Sequence, residues 1–302
     1  MIMEIHWDDL KIFLAVARAQ KVSGAGRQLK IDAATVARRI RRLEEQLGCQ
    51  LFVKSPQGYD LTDDGQRLLV HAEQAEQAVL LASADVGGAT GRLTGQVRIG
   101  APDGCANYVL PQVCAKIATD NPGLDLQIVA LPRVFNLSRR EADIAIAVST
   151  PTTGRQTVKK ITDYHLHLAA SKSYLSQHGE INSLETLKKH RIVGYIPDLI
   201  FDKELDYLDQ IGVESADIAS NSVSVQFNLV RQGAGIGIVH DFALPTAPDM
   251  VKVLPDAVSL TRSFYLIRHA DDQRVERLNR VAQALTDGVR HEVAVLEGKL
   301  DM

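Results

Sequence analysis

A long helical pattern in the first third of the chain divides the sequence into two parts. From Asp64 to about Val86 there is no proline, and the one glycine, Gly65, falls in the first turn. Apolar side chains recur there in steps of four and three, at Leu68, Ala72, Ala75, Val79, Ala82 and Val86. This heptad spacing predicts a helix roughly 33 Å long that packs against its own domain or against a second copy of the chain. We favour the second copy, because a small preceding domain offers little surface to so long a helix.

The sequence after this helix predicts an α/β domain. A hinge-like linker is indicated by four glycines, Gly87, Gly88, Gly91 and Gly95. Strand patterns follow at 96–102, 125–131, 142–148, 164–170, 191–195, 236–239 and 263–268. Helical patterns lie at 107–120, 137–141, 183–189, 202–211, 223–232 and 272–290. Such alternation predicts a mainly parallel sheet covered on both faces, with ligands at the carboxyl ends of its strands.

The composition is that of a globular protein, with 45% hydrophobic and 24% charged residues. Glu4, Asp8 and Asp9 stand where a secretion signal would carry positive charge, and no window approaches the roughly 20 apolar residues of a membrane span. Three scattered cysteines do not predict a disulfide framework or a zinc site. No catalytic motif stands out. We therefore expect a cytoplasmic protein that is not an enzyme and holds no metal or other cofactor.

Positive charge is concentrated near the N-terminus, although the net charge of the whole chain is -3. Eight cations lie in one short segment: Arg18, Lys21, Arg27, Lys30, Arg38, Arg39, Arg41 and Arg42. Asp32 is the only acidic residue among them. A local excess of this kind on an acidic chain predicts one basic face, as in proteins that bind nucleic acid.

Three short helices account for this basic segment. The first covers residues 9–18, Ser23 can cap a second that ends at Leu29, and Asp32 can cap a third that ends at Gly48. In the third helix, the residues expected in the core are Val36, Ile40 and Leu43. The opposite face then carries Ala34, Thr35, Arg38, Arg41 and Arg42. Residues 23–43 thus predict a helix-turn-helix that docks on DNA, the alternative being a solvated basic helix.

The expected DNA contacts follow from side-chain chemistry. Small residues at the start of the third helix (Ala33, Ala34 and Thr35) let the backbone approach base edges. Arg38 is the candidate for a base contact, preferably to guanine. Phosphate contacts are expected from Arg39, Arg41 and Arg42, which position the protein without reading sequence. Ser23, at the start of the second helix, is also an expected DNA contact. Residues 51–62 then predict two short strands around a turn at 56–58.

At this point the sequence resembles the LysR-type transcriptional regulators. The run R-x-I-x-x-L-E-x-x-L-G-x-x-L-F followed by G-x-x-L-T, in residues 38–62, is specific to that family. The segments RIGAP, LSRREADIAI and GAGIGIV are similar to the family's effector domain. In place of a frequent Ser-Gln-Pro, this chain has Asp32, Ala33 and Ala34, so the loss of the glutamine amide leaves the operator's base preference open.

The resemblance implies three domains in an α/β fold class. Residues 1–63 would form a winged helix-turn-helix, in which Lys54 and Gln57 belong to the wing that follows the DNA backbone. Residues 64–90 would form a dimerising linker helix. Residues 91–302 would form a two-lobed effector domain resembling periplasmic solute-binding proteins, with lobe I at about 91–161 and 267–302 and lobe II at about 162–266.

The resemblance also implies an effector site in the cleft between the lobes. The residues expected there are Pro102, Asp103, Gly104, Cys105, Leu131, Pro132, Ser149, Thr150, Asp198 and Ser222. Many relatives carry a hydroxyl residue near Gly104, so one contact is expected to be missing. Asp103 would repel the family's usual organic-acid effector unless its carboxylate is turned away.

We therefore expect a sequence-specific transcriptional regulator whose partners are duplex DNA and a small-molecule effector. The linker helix implies a homodimer, the family implies a homotetramer, and contact with RNA polymerase is a further expectation. Two alternatives remain at this point. One is a redox-responsive regulator that uses Cys105 and Cys114. The other is a solute-binding α/β protein whose N-terminal helices serve assembly only.

Overall fold

The chain folds into two units, Met1–Thr90 and Gly91–Met302. The computed structural model describes residues 5–55, 58–86, 93–130, 142–151, 156–270, 272 and 275–300. Gln57, Leu131, Pro132, the helical pattern at 137–141 and the glycines at 87, 88 and 91 lie outside these residues. Among the described helices, none is both long and apolar enough to cross a membrane.

The N-terminal unit is a three-helix core followed by a hairpin and a long helix. Its elements are α1 (Trp7–Ala19), α2 (Val22–Leu29), α3 (Ala33–Leu47), β1 (Phe52–Ser55), β2 (Gly58–Leu61) and α4 (Asp63–Val86). The hairpin is antiparallel and pairs Phe52 with Leu61. Phe13, Val36 and Leu43 are completely buried where the three helices meet. The helix periodicity and the hairpin that the sequence predicts are both confirmed.

Two of the three predicted capping residues act as expected. The backbone N–H of Thr35 donates to Asp32 Oδ1 at 2.7 Å, so Asp32 caps α3. Gly48 ends α3 with a left-handed φ of 67°. The prediction for Ser23 is wrong, because α2 begins at Val22 and Ser23 is an exposed residue of its first turn. The preceding helix ends at Gln20 in the left-handed region, which brings the chain into α2 earlier than the sequence suggests.

The apolar stripe of α4 begins as part of the N-terminal core. Ala72 is fully buried and Leu68 packs on the same cluster. Farther along, Arg18 of α1 pairs with Glu76 at 2.5 Å, and Val79 is 42% exposed. Packing against its own domain therefore covers the first half of the described stripe. The sequence had favoured a second copy of the chain for the whole of it.

Gly65 allows α4 to start close against the hairpin. A Cβ at this position would lie 2.2 Å from the carbonyl oxygen of Leu51 and 2.9 Å from Cδ2 of Leu61. Thr62 fixes the same junction, since its N–H donates to Leu51 O at 3.0 Å and its hydroxyl accepts from Gly65 N–H at 3.0 Å. The glycine is thus required by a close approach of two backbones.

The C-terminal unit contains nine strands and six α-helices within its described residues. The strands are β3 (Thr94–Ala101), β4 (Gly123–Ala130), β5 (Ile144–Ala147), β6 (Gln156–Ser171), β7 (Ile192–Gly194), β8 (Ile218–Ala219), β9 (Ile236–His240), β10 (Met250–Lys252) and β11 (Ser259–His269). The helices are α5 (Asp103–Tyr108), α6 (Leu110–Asp120), α7 (Lys172–His178), α8 (Leu184–Leu187), α9 (Val223–Arg231) and α10 (Glu276–Leu296).

The strands form one mixed sheet in the order β4-β3-β5-β11-β6-β9-β7-β8, with β10 beside β6. Strands β3, β4 and β5 are parallel to one another, and so are β7, β8 and β9. Between these groups, β11 is antiparallel to β5 and β6, and β6 is antiparallel to β9. The prediction of a mainly parallel sheet therefore holds for the two ends and is wrong for the middle. The first half of β6, residues 156–163, is mostly polar, so the hydrophobic pattern predicted only the second half of the strand.

Two further predictions are wrong. The expected helix at 202–211 consists of two 3-10 turns, Lys203–Leu205 and Leu208–Ile211, because Asp206 between them is extended. Gly95 is part of β3 rather than of a linker. Two helices were not predicted: α5, which precedes the helical pattern expected at 107–120, and α7. The Ser171 side chain caps α7 by accepting from Tyr174 N–H at 3.2 Å.

We expect Gly65→Ala to lower the free energy of unfolding of the N-terminal unit by about 1–3 kcal/mol, the usual cost of overpacking. In an open helix the same change would be stabilising by up to about 1 kcal/mol, so the sign of the effect tests the close approach. Urea unfolding followed by the fluorescence of Trp7, the single tryptophan, measures it. The matched control is Gln66→Ala at the exposed neighbouring position. A Gly65→Ala protein as stable as the parent would contradict the packing described here.

Candidate nucleic-acid interface and effector site

The exposed face of α3 carries most of the predicted DNA contacts. Val36, Ile40 and Leu43 turn inward, as expected. The residues exposed on the other side are Ala33, Ala34, Arg38, Arg41 and Arg42. Thr35 is half-buried, and its hydroxyl donates to Asp32 Oδ2 at 2.6 Å. The Thr35 hydroxyl and the Thr35 backbone N–H both donate to Asp32 and lower the pKa of its carboxyl group, the hydroxyl with the larger effect. The Thr35 hydroxyl is thus engaged in the cap, and its methyl group remains for contact with a base.

The arginines of α3 divide into two pairs. Arg39 Nε lies 2.7 Å from Asp9 Oδ1, and Arg42 lies 3.6 Å from the other oxygen of the same carboxylate. The Asp9 side chain is completely buried in α1. Arg38 and Arg41 have no hydrogen-bond or ion-pair partner among the residues described. Arg39 and Arg42, both expected at phosphates, therefore also neutralise a buried acid that the sequence did not reveal as their partner.

The hairpin supplies a further exposed cation, Lys54. Lys54 is exposed, with its ammonium group 5.9 Å from the ring centre of Tyr59. Tyr59 N–H donates to Gln20 O at 2.9 Å, which attaches the hairpin to the end of α1. Lys54, which pairs with Tyr59 in the hairpin, is thus attached through that strand to the end of α1.

In the second unit, Asp103 and Ser222 come together although they are far apart in sequence. Asp103 Oδ2 accepts from the Ser222 hydroxyl at 2.8 Å and from Ser224 N–H at 2.9 Å. Its other oxygen accepts from Asn107 Nδ2 at 3.0 Å. The carboxylate lies at the N-terminus of α9, where free N–H groups and the helix dipole favour an anion. Asp103 is therefore neither free nor turned outward, and it occupies a place where an anionic ligand would bind.

A small cavity of about 20 Å³ lies beside this bridge. Of the predicted effector residues, Pro102, Asp103, Gly104 and Cys105 line it. This volume is enough for about one water molecule. A Cβ at Gly104 would lie 3.2 Å from Val223 Cγ2 and 3.4 Å from His240 Cε1. Glycine at this position therefore lets α5 approach α9 and β9 closely.

Aromatic residues that the sequence analysis missed form the opposite wall of this cavity. Tyr164 of β6 stacks on Phe264 with ring centres 4.2 Å apart, and His240 lies 5.5 Å from Tyr164. Burial lowers the pKa of His240 to about 4, so its ring is neutral at pH 7. The Tyr164 hydroxyl is buried without a hydrogen-bond partner in the part of the chain described. Alternation along the full length of β6 was the only signal that could have placed Tyr164 inward.

Three other predicted effector residues, Ser149, Thr150 and Asp198, are described and do not line this cavity. The Ser149 hydroxyl donates to Asp202 Oδ2, which joins the end of β5 to the segment of 3-10 turns. Thr150 is exposed. Asp198 is exposed within a 3-10 turn, Pro197–Leu199. Leu131 and Pro132 are among the residues that the structure does not describe.

The environment of the cysteines opposes the redox alternative. Both thiols have raised pKa values, and burial is the main cause. The pKa of Cys114 is raised to about 11, and the pKa of Cys105 is raised further. The thiolate is the form that reacts with oxidants, and a raised pKa removes it at neutral pH. Cys105 and Cys114 therefore behave as apolar core side chains.

We expect iodoacetamide at about pH 8 to modify Cys49, which is partly exposed, before Cys105 and Cys114. Peptide mass spectrometry after quenching gives the extent at each cysteine, and labelling in denaturant, where all three react, is the control. Rapid native labelling of Cys105, or a peptide linking Cys105 to Cys114 after peroxide treatment, would restore the redox alternative.

Two family models match the chain. The model described as bacterial regulatory helix-turn-helix protein, lysR family, matches residues 7–66. The model described as LysR substrate binding domain matches residues 90–290. The two matches include α3 with its exposed arginines, the mixed sheet, and the bridge between Asp103 and Ser222.

Individual relatives agree with these models. The HTH-type transcriptional regulator CrgA of Neisseria meningitidis is 24% identical over 255 residues, which are 84% of this chain and 85% of the relative. A probable hydrogen peroxide-inducible genes activator of Mycobacterium avium is 28% identical over 242 residues, which are 78% of each chain.

Solved structures show the same fold. CrgA superimposes with a TM-score of 0.58 at 22% identity, covering 96% of this chain and 99% of that chain. Full-length LysG from Corynebacterium glutamicum with bound effector arginine has a TM-score of 0.61 at 17% identity, covering 95% and 99% of the two chains. The family models therefore support the transcriptional regulator over a solute-binding protein whose N-terminal helices serve assembly only. The chain belongs to the LysR family of transcriptional regulators, with a helix-turn-helix unit and an effector-binding α/β domain.

Proposed function

We propose that this regulator reads a specific DNA sequence with Arg38 and anchors itself on phosphates with Arg41. The observation that carries the proposal is that both side chains are exposed on α3 and have no partner within the described residues, whereas Arg39 and Arg42 face the buried Asp9. A free guanidinium at the first turns of the recognition helix can donate two hydrogen bonds to guanine. Ala33, Ala34 and the Thr35 methyl allow the close approach, and Lys54 and Gln57 would follow the backbone.

A small-molecule effector would act through the C-terminal unit, and LysG, a protein of the same fold, has been solved with the effector arginine bound. We propose that its site begins at Asp103 and Ser222 and includes the walls of the adjoining cavity. The bridge between them supports this, because it joins the start of α5 to the start of α9 through atoms a ligand could displace. Effector binding would then shift an existing equilibrium between arrangements of the unit.

The proposal includes the domain limits and the assembly. Residues 1–63 would bind DNA, 64–90 would link two chains, and 91–302 would bind the effector. The partly exposed Val79 supports a homodimer along the later turns of α4. A homotetramer and contact with RNA polymerase complete the proposal. Acting on the chromosome of a bacterium would place the protein in the cytoplasm.

Arg38→Ala is expected to weaken binding to the specific site by about 1–3 kcal/mol and to relax the preference for one base pair. Arg41→Ala should weaken all sequences alike and reduce the slope of log K against log salt by about 0.9. Footprinting on DNA upstream of the protein's own coding region locates the site, and titrations at several salt concentrations measure both effects. The control is Arg280→Ala, an exposed arginine of α10. Identical profiles for Arg38→Ala and Arg41→Ala would refute the division of roles.

A further inference from the structure

A larger cavity lies within residues 192–238, apart from Asp103. Its volume is about 330 Å³, within the range of small-molecule sites. Its walls come from β7, from the segment of 3-10 turns that follows it, and from Gln226 and Ile238. It shares Tyr195, Phe201 and Leu205 with the small cavity beside Asp103. Of the predicted effector residues that the structure describes, none lines it.

The interior of this cavity suits an apolar body of moderate size. Aliphatic and aromatic side chains form most of its surface, among them Ile192, Ile200, Phe201, Leu205, Leu208 and Ile211. Tyr195 and Tyr207 meet edge to face, with ring centres 6.0 Å apart. Burial raises the pKa of both phenols, so both rings are neutral. Neutral aromatic faces attract cations, and Tyr207 already has the Arg262 guanidinium 5.8 Å from its ring centre.

The charge of the lining is strongly negative. Four carboxylates line the cavity (Asp202, Asp206, Asp209 and Glu214) against one ammonium group, that of Lys203. Asp202 is used internally, since it accepts from the Ser149 hydroxyl and from Glu204 N–H. The other three are exposed, and within the described part of the chain their carboxylates have no hydrogen bond or ion pair. Arg262 does not line the cavity and is paired with Glu204 at 2.7 Å.

We propose that this cavity binds an organic cation, an amine with an aromatic or branched apolar body. The body lies against Tyr195, Leu205 and Leu208, and the ammonium group lies at the rim among Asp206, Asp209 and Glu214. An anion of the same shape is repelled by the rim, and a neutral analogue loses the ionic attraction. The proposal concerns binding alone and does not depend on how the protein recognises DNA.

Isothermal titration of the full-length protein with phenethylammonium, 2-phenylethanol, phenylacetate and methylammonium tests the site. We expect phenethylammonium to bind at least about tenfold more tightly than 2-phenylethanol. Its affinity should fall as salt is raised, because the rim carboxylates are exposed. Phenylacetate, which the rim repels, and methylammonium, which lacks the body, should show no saturable binding. The proposal would be overturned if phenylacetate or methylammonium bound the protein as tightly as phenethylammonium does. It would also be overturned if phenethylammonium failed to bind at millimolar concentration.

A charge-matched pair of triple variants places the binding in this cavity. The rim variant combines Asp206→Asn, Asp209→Asn and Glu214→Gln. The control variant combines Glu180→Gln, Asp249→Asn and Asp256→Asn, exposed acids of the same unit that do not line the cavity. The rim variant should lose about tenfold in affinity for phenethylammonium and keep its affinity for 2-phenylethanol, which also shows that it is folded. The control variant should bind as the parent does. Equal losses in both variants would mean general attraction to an acidic surface and would refute the site.

Discussion

The antiparallel pairing of β6 with β11 is the constraint on which the C-terminal unit depends. It extends from the pair Ser259 and His167 to the pair His269 and Gln156, with one irregularity after Phe264. This ladder joins two groups of parallel strands into one sheet. Because parallel strands need helical crossovers, each group carries its own helices, and the long ladder holds the groups together. Tyr164 and Phe264 stack across it and form a wall of the small cavity.

The bridge from Asp103 to α9 places an internal carboxylate at the N-terminus of that helix. Ser222 Oγ and Ser224 N–H are donors that an anionic ligand would use, and here an internal carboxylate accepts from both. With His240 neutral because of its burial, no lining group of the small cavity offsets the charge of Asp103. The larger cavity is acidic as well. Both features favour a ligand without a negative charge, in contrast with an organic acid.

In the N-terminal unit, a buried acid separates structural arginines from available ones. Asp9 belongs to α1 and its side chain is completely buried. A buried carboxylate is stable only when it is paired with a cation or a hydrogen-bond donor. Arg39 and Arg42 supply that pairing from α3, which joins the two helices. Arg38 and Arg41 are exposed on the same helix and have no hydrogen bond or ion pair within the described residues. Four arginines that look alike in sequence therefore differ in their partners within the folded chain.

Local pattern was sufficient for much of this protein. The helix periodicity of α3, its Asp32 cap, its Gly48 terminus, the hairpin and the length of α4 all follow from interactions within a few residues, which the sequence displays directly. The family motifs likewise placed the effector-binding α/β domain. The sequence shows Gly65 as the one glycine in the long helical pattern. It does not show the reason for that glycine, which is the close approach to the Leu51 carbonyl.

Tertiary structure decided what depends on residues far apart in the chain. The direction of β6 and β11, the partner of Asp103 and the partner of Arg39 are all set by contacts across more than 25 positions, and no local periodicity encodes them. Distant contacts also decided the segment 202–211. A helix was predicted there, but short 3-10 turns form instead and line a cavity. The long apolar seam of α4 was determined by the sequence, whereas its first turns were assigned to the N-terminal core only by packing. Spacing shows that a stripe must be covered, and only the folded chain shows by what.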